Sequence, residues 1–104
     1  MNNMPADIAV FNVHHEYLYV NPKAIKDDHI RSWIIGKRDE DYCRYRNKPL
    51  SLASGRRAHF KMVMESHKPT EWEEQNTRPN GDFEYMLRRW YPVIDSNGNI
   101  QWVI

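Results

Sequence analysis

The sequence predicts an α+β fold in a single domain that covers residues 1–104. A long helical period in the middle of the chain, with short runs of β-forming residues on both sides of it, favours this class. The length supports it too, because 104 residues are enough to bury one core. We therefore expect the strands and the long helix to share one core.

Two strands are predicted at the start of the chain, at residues 8–11 and at Tyr17–Val20, because both are short apolar runs with polar residues between them. The intervening His14-His15 pair predicts a turn and no metal site, since neighbouring side chains on a strand point to opposite faces. Asn21 and Pro22 then predict the start of a helix, with Asn21 as its cap.

In the middle of the chain, the residue pattern changes from irregular to helical at residue 50. Residues 32–49 show no regular period, which predicts a loop with a short helical turn. Residues 50–67 predict the longest helix, which ends before Pro69. Its predicted inner face repeats at steps of three and four residues: Leu52, Ala53, Arg56, Phe60, Val63, Met64 and His67.

The last third of the chain predicts three strands, at residues 70–78, 83–94 and 100–104. Asn80-Gly81 and Asn97-Gly98 separate them, and Asn-Gly is a strong hairpin signal because both residues tolerate a positive φ. These three strands are expected to form an antiparallel meander, and with the first two they give five strands, with the long helix before the last three.

The charge and cysteine content narrow the partners and the location. Fifteen Lys and Arg against 14 Asp and Glu give a net charge of +1, from which we predict neither a nucleic-acid nor a membrane partner. Cys43 is the only cysteine, and no apolar run approaches the roughly 20 residues that span a bilayer. Residues 1–7 lack the pattern of a secretory signal, so we predict a cytoplasmic protein.

The order of elements resembles the PAS fold over nearly the whole chain. Four short stretches carry the resemblance through their order and spacing: Tyr19-Val20-Asn21-Pro22, Ile35-Gly36-Lys37-Arg38-Asp39-Glu40-Asp41, Trp72-Glu73-Glu74 with Pro79-Asn80-Gly81, and Tyr91-Pro92-Val93-Ile94-Asp95-Ser96-Asn97-Gly98. The resemblance implies a five-stranded antiparallel sheet with helices packed on one face, and a pocket between the sheet and the long helix. It also implies a sensor that relays a signal to an attached effector, for example a histidine kinase of a two-component system.

The resemblance further suggests that the domain comes from a longer signalling protein, because the sequence stops within the predicted last strand, at Ile104. Its partners would be a small-molecule ligand, the effector domain and a second copy in a homodimer. The alternative from another functional class is a ligand-free module for protein interaction and dimerisation, with a filled core and exposed aromatic side chains on the sheet.

The cofactor is left unknown, and the residues argue against flavin and haem. Cys43-Arg44-Tyr45 is similar to the reactive-cysteine motif of flavin-binding PAS domains, but Tyr42 replaces its Asn and the spacing from Gly36 is too long. His59 and His67 lie where haem-binding PAS domains carry an iron ligand, yet a histidine on a helix more often satisfies a structural hydrogen bond.

The ligand-binding residues follow from a hypothesis about the register of the fourth strand. If Leu87, Arg89, Tyr91 and Val93 face inward, Arg89 would favour an anionic ligand, whereas a slip of one residue reverses the facing. The predicted pocket residues are Tyr42, Phe60, Met64, Leu87, Arg89 and Trp102.

Catalysis is not expected. The sequence has no phosphate-binding loop, no zinc-type spacing and no nucleophile elbow. The carboxylates of Glu71, Glu73 and Glu74 are interpreted as a solvated strand face. We therefore predict that the protein is not an enzyme.

Overall fold

The computed structural model describes residues 6–78 and 80–104 as an α+β fold, which confirms the predicted class. Two sequence predictions, on a secretory signal and on the Pro79-Asn80-Gly81 motif, involve residues 1–5 and Pro79, which lie outside the described residues. The described residues form six strands and three helices in the order β1 (Ala9–Phe11), β2 (Tyr17–Val20), α1 (Asp28–Ile34), α2 (Asp39–Tyr45), α3 (Leu50–Ser66), β3 (Thr70–Thr77), β4 (Phe83–Trp90), β5 (Pro92–Ile94) and β6 (Ile100–Val103).

The first two strands form the predicted antiparallel hairpin, in which Ala9 lies opposite Val20. Asn12 closes the turn between them, because its side-chain oxygen accepts hydrogen bonds from the backbone N–H groups of His14, at 2.9 Å, and Glu16, at 3.0 Å. The predicted turn at the two histidines is confirmed.

The predicted helix start at Asn21 is wrong. The helix α1 begins later, at Asp28, because the Asp27 side chain caps it. Asn21 instead fixes a turn to the first strand: its side-chain oxygen accepts hydrogen bonds from the backbone N–H groups of Ala24 and Ile8, both at 3.0 Å.

The predicted loop at residues 32–49 contains more helix than expected, since it holds the end of α1 and the whole of α2. Three acidic residues stand in the first turn of α2, where they oppose the positive end of the helix dipole. One of them, Asp41, also accepts a hydrogen bond of 3.0 Å from the backbone N–H of Arg38. Local charge thus stabilises a helix for which the apolar pattern gave no signal.

The long helix α3 confirms the prediction closely and ends one residue early, where His67 takes a left-handed conformation with φ of 58°. Of its predicted inner face, Ala53, Phe60 and Val63 are buried.

The hairpin of β3 and β4 is regular over all eight residue pairs, from Thr70 opposite Trp90 to Thr77 opposite Phe83. The other four strands form an antiparallel ladder in the order β2-β1-β6-β5.

The predicted strand at residues 83–94 is therefore split into β4 and β5, and the five predicted strands correspond to six in the described chain. The break lies at Tyr91, whose backbone exchanges hydrogen bonds of 2.8 and 2.9 Å with Ile104. Tyr91 thus links the hairpin to the four-stranded ladder, and the sheet changes direction there.

The hydrophobic core lies between this sheet and α3, with a contribution from α1. Its buried members combine aromatic and β-branched side chains: Phe11, Tyr17, Val20, Ile34, Phe60, Val63, Trp90, Ile100 and Val103.

Candidate functional site

A cavity of about 380 Å³ lies between the sheet and the helices. Its wall contains five aromatic side chains: Phe11, Tyr17, Tyr42, Trp72 and Trp90. The remaining lining residues are Asp7, Ala9, Val20, Ala24, Ile25, Asp39, Lys48, Arg56, Asn76, Thr77, Arg78, Glu84, Met86 and Arg88. The wall is therefore aromatic with several charged groups, and the volume falls within the range of small-molecule sites.

A second opening, a groove of about 500 Å³, runs between the first half of α3 and β3 and shares four lining residues with the cavity: Lys48, Trp72, Asn76 and Thr77. It is larger, but most of its lining residues are exposed or half-buried. We place the candidate site in the cavity, because buried aromatic and paired charged side chains converge there.

Arg56 is the central charge of the cavity wall. It projects from α3 and donates a hydrogen bond of 2.8 Å from Nη1 to Asp39 Oδ1. Its Nε and Nη2 each donate to Glu74, both at 2.9 Å. Such two-pronged contacts fix the plane of a guanidinium group. Arg56 therefore holds α2 and β3 in a defined position against α3.

Two further side chains extend this network. Tyr17 donates a hydrogen bond of 2.6 Å from its hydroxyl to Asp39. Arg88 donates one of 3.2 Å from Nε to Glu74. Asp39 and Glu74 are buried, and both are paired with cations, which offsets the cost of removing a carboxylate from water.

His15, in the turn between β1 and β2, is a further member of the network. Its fully buried ring stacks on Phe60 at 4.1 Å, and its Nε2 lies 3.0 Å from Asp39 Oδ2. His15 has a φ of 64°, which a residue other than glycine rarely adopts. The contacts of the ring hold the turn in that conformation.

The surroundings shift the pKa values of these groups. Burial raises the pKa of the Asp39 carboxyl, but the contact with His15 and the charge of Arg56 outweigh it and lower the pKa from 3.8 to about 2. The same competition, with Arg56 as the main partner, lowers the pKa of Glu74. Burial and the nearby Asp39 charge raise the pKa of Tyr17 well above its ordinary value. At neutral pH the network holds two carboxylates and a neutral tyrosine.

Lys48 is the one cation of the cavity wall with no carboxylate within 4.0 Å among the described residues. Its ammonium lies 5.7 Å from the centre of the Tyr42 ring. Burial and the positive charges of Arg56 and Arg46 lower its pKa. Lys48 thus sits in a positive region of the wall.

The structure places the first three predicted pocket residues on the inner side of the fold. Tyr42 is half-buried and lines the cavity. Phe60 is buried in the core and Met64 packs against it, but neither lines the cavity. Tyr42 remains a predicted ligand contact.

The other three predicted pocket residues lie outside the cavity. Leu87 is 63% exposed and Trp102 is 41% exposed. Arg89 is exposed and pairs with Glu71, with Nε 3.0 Å from Oε1. The predicted facing of β4 is therefore wrong by one residue. Its inward side chains are Glu84, Met86, Arg88 and Trp90.

Sequence reasoning missed most of the charged network. The three glutamates of β3 were interpreted as a solvated face, but Glu74 is buried, while Glu71 and Glu73 are exposed. A usable signal was Arg56, because an arginine within the apolar face of a helix needs carboxylates opposite it. The sequence did not identify those partners, which lie 17 and 18 residues away from it.

The residues considered for haem and flavin do not line the cavity. Cys43 is fully buried in α2, and burial raises the pKa of its thiol. His59 lines the groove instead, where its ring stacks on Trp72 at 4.3 Å. His67 is exposed at the end of α3.

Among residues 6–78 and 80–104, no helix is both long and apolar enough to cross a membrane. Over the same residues, no group of three or more His, Cys, Asp or Glu side chains is placed to hold a metal ion.

No known protein-family model and no curated protein matches the sequence, whereas solved structures match it over almost its whole length. The VqmA–ligand–DNA complex of Vibrio cholerae has a TM-score of 0.73 at 17% identity, over 97% of this chain and 44% of VqmA. A sensory box histidine kinase from the same organism has a TM-score of 0.67 at 13% identity, over 91% of this chain and 73% of the kinase chain.

A third similar structure is an RNA-binding Light-Oxygen-Voltage receptor, with a TM-score of 0.65 at 14% identity, over 97% of this chain and 28% of the receptor. This chain thus spans less than half the length of VqmA and of the receptor.

These neighbours overturn one prediction. A net charge of +1 was taken to exclude nucleic acid as a partner, but VqmA is seen in a complex with DNA and the receptor binds RNA. That exclusion is wrong, because net charge averages over the whole surface and ignores any part of a longer protein that contacts nucleic acid.

At these identities the likeness concerns the fold alone, and the predicted resemblance is confirmed to that extent: the chain has a PAS-like fold.

Proposed function

We propose that this chain is a sensory module that binds a small molecule in the cavity and passes the signal to an effector. The cavity itself is the observation that carries the proposal. It has a volume of about 380 Å³ and is partly open to solvent, with aromatic walls and charged groups held in place by ion pairs.

The effector is proposed to belong to a longer signalling protein. The similar structures support this, since one is a histidine kinase, one is a complex with DNA and one binds RNA. A ligand acts on an effector only if it binds two conformations with different affinity. The Arg56 network could couple ligand binding to such a change of conformation, because it joins α2, α3 and β3 around the cavity. We propose a binding role and no catalytic step of its own.

The test compares two neighbouring positions of β4. Met86→Trp places an indole in the cavity, whereas Leu87→Trp places one on the exposed face. Native mass spectrometry of freshly purified protein should detect a retained ligand in the wild type and in Leu87→Trp, and a bare chain in Met86→Trp. Thermal unfolding of both variants checks that the fold is intact.

If a ligand is retained equally by both variants, it binds elsewhere and the proposal fails. A bare wild-type chain that also shows no thermal shift with any compound of a metabolite library would likewise contradict it.

A second candidate function, a homodimerisation module, is favoured by a different observation. The sheet surface turned away from the helices, here called the outer face, carries exposed apolar side chains: Phe83, Tyr85, Leu87, Tyr91, Trp102 and Ile104. Contiguous exposed apolar surface is rare on monomers and, where large, marks an interaction site. The two functions are compatible, because the cavity and the outer face lie on opposite sides of the sheet.

A further inference from the structure

In and beside the cavity wall, most carboxylate oxygens accept hydrogen bonds, whereas some N–H donors have no partner. Asp39 and Glu74 between them accept from Arg56, Arg88 and Tyr17. Three of their four oxygens accept hydrogen bonds, and the fourth, Asp39 Oδ2, lies 3.0 Å from His15 Nε2. On the donor side, the backbone N–H of Lys48 donates to Cys43 at 2.8 Å, but its ammonium makes no hydrogen bond among the described residues. A guanidinium carries five N–H groups, of which Arg56 uses three and Arg88 two in these contacts.

The charges follow the same pattern. Four cations, Lys48, Arg56, Arg78 and Arg88, and three carboxylates, Asp7, Asp39 and Glu84, line the cavity, and Glu74 pairs with Arg56 and Arg88 from beside it. At the rim, Arg78 and Glu84 form a pair of their own at 3.6 Å, and Asp7 is exposed to solvent. Lys48 is also exposed, and its positive charge has no carboxylate within 4.0 Å among the described residues.

The aromatic walls limit the shape of what can bind beside these donors. Tyr42 lies beneath the Lys48 ammonium, and Trp72 and Trp90 pack edge to face at 5.0 Å on the sheet side. Rings on several sides of a small volume favour a planar ligand, because flat molecules stack on aromatic side chains with little loss of contact.

From this geometry we infer that the ligand of the cavity is a small planar molecule with an anionic group, which Lys48 contacts as its counter-ion and to which Arg56 or Arg88 donates a spare N–H. The inference rests on the proposed function and specifies its ligand class. Arg56 and Arg88 keep their carboxylate partners in this arrangement, so the network stays intact while Lys48 gains its missing partner. The lowered pKa of Lys48 agrees with this, since an anion beside the ammonium would relieve the repulsion from Arg56.

Two acid–amide pairs serve as probes, because each pair differs in charge but hardly in shape: 4-hydroxybenzoate with 4-hydroxybenzamide, and indole-3-acetate with indole-3-acetamide. Binding is followed by NMR titration of backbone and indole N–H signals at millimolar probe concentration. We expect at least one acid to shift the signals of Trp72, Trp90 and Arg56, and its amide to bind about tenfold or more weakly.

Lys48→Met removes the charge but keeps most of the stem, and it should weaken binding of the acid about ten- to hundredfold while leaving the amide unaffected. Lys48→Arg should restore binding of the acid in part. Lys61→Met is the matched control, since Lys61 is exposed on α3 and lines neither the cavity nor the groove.

Equal binding of acid and amide, or an acid whose affinity is the same in Lys48→Met, would overturn the inference and leave the sensory function standing. Absence of binding by both acids overturns it as well. The sensory function is then judged separately, by the ligand that native mass spectrometry finds in the Met86→Trp comparison.

Discussion

Asp39 is the residue on which the charged network most depends. Its carboxylate accepts hydrogen bonds from Tyr17 and Arg56 and lies 3.0 Å from His15 Nε2, and these three residues come from different parts of the chain. The Asp39 side chain itself is fully buried. Removing one member of a buried ion pair leaves the others uncompensated, which typically costs about 3–5 kcal/mol. The stability of the domain should therefore depend on the ionisation of this one carboxyl group.

The first prediction concerns acid stability. The pKa of Asp39 is lowered in the folded state from 3.8 to about 2, so the unfolded chain binds its proton at higher pH than the folded chain does. The resulting stabilisation is fully present above the unfolded value and is lost as pH falls towards 2. The shift corresponds to about 2 kcal/mol. Urea denaturation across this range should show that loss in the wild type.

Asp39→Asn should be less stable at neutral pH and should lose less stability on acidification than the wild type, by about 2 kcal/mol. Some acid dependence will remain, because the pKa of Glu74 is lowered in the same direction. The control is Asp28→Asn, whose carboxylate is 89% exposed. If the free energy of unfolding falls with pH as much in Asp39→Asn as in the wild type, the ionisation of Asp39 does not cause the acid dependence.

At the scale of the element, the long helix contains a glycine that its backbone conformation does not require. Gly55 has a negative φ in the middle of α3, and no atom lies within 4 Å of where a Cβ would stand. Glycine inside a helix costs about 0.5–1 kcal/mol relative to alanine because it loses more backbone freedom on folding. Its position on the groove keeps that surface free of a side chain.

The second prediction follows from this. Gly55→Ala should raise the free energy of unfolding by about 0.5–1 kcal/mol, which corresponds to an increase of about 2–8 °C in Tm for a domain of this size. Thermal unfolding followed by circular dichroism measures the change.

Gly98→Ala is the matched control, because its Cβ would also meet no atom but its φ is 82°. Strain in the left-handed region should make that variant less stable, so the two substitutions should shift Tm in opposite directions. A decrease in Tm for Gly55→Ala would mean that an unseen constraint holds the helix at this point.

The same scale shows how far the sequence could predict the fold. The helix α3 and the hairpins at Asn80-Gly81 and Asn97-Gly98 were predicted because helical period and turn chemistry act over a few residues. The face on which each β4 side chain lies was not predicted correctly, because apolar residues occur on both faces of the strand. Met86 and Trp90 lie on the inner face, whereas Tyr85 and Leu87 lie on the outer one. A strand with two apolar faces has no alternation from which register can be read.

For the molecule as a whole, the cavity could be anticipated only through the resemblance to a known fold. Its charged wall depends on contacts between distant parts of the chain, such as Arg56 with Glu74 and Asp39 with His15. No local pattern encodes such pairs, and an arginine on an apolar helix face only indicates that partners exist. Tyr42 lines the cavity and stays a predicted ligand contact, whereas Lys48, which also lines it, was not among the predicted residues.

The last prediction concerns the assembly of two copies of the chain through the outer face. Its exposed aromatic and aliphatic side chains lie on a sheet with no helix covering them among the described residues, and Leu87 is the most exposed of them at 63%. A second copy can bury this surface, because a two-fold axis brings the same patch of both copies into contact. We expect a dimer with the two outer faces in contact, detected by analytical ultracentrifugation over a range of concentrations.

Leu87→Glu places a charge in the middle of that contact and should raise the dimer dissociation constant about tenfold or more, because a buried carboxylate without a partner opposes association. Met62→Glu makes a similar change on α3, where Met62 is 54% exposed, and should leave the dimer intact. If Met62→Glu dissociates the dimer and Leu87→Glu does not, the helices form the interface. The outer face would then stay free for an effector, and a ligand in the cavity would have to act on the dimer through α3 rather than through the sheet.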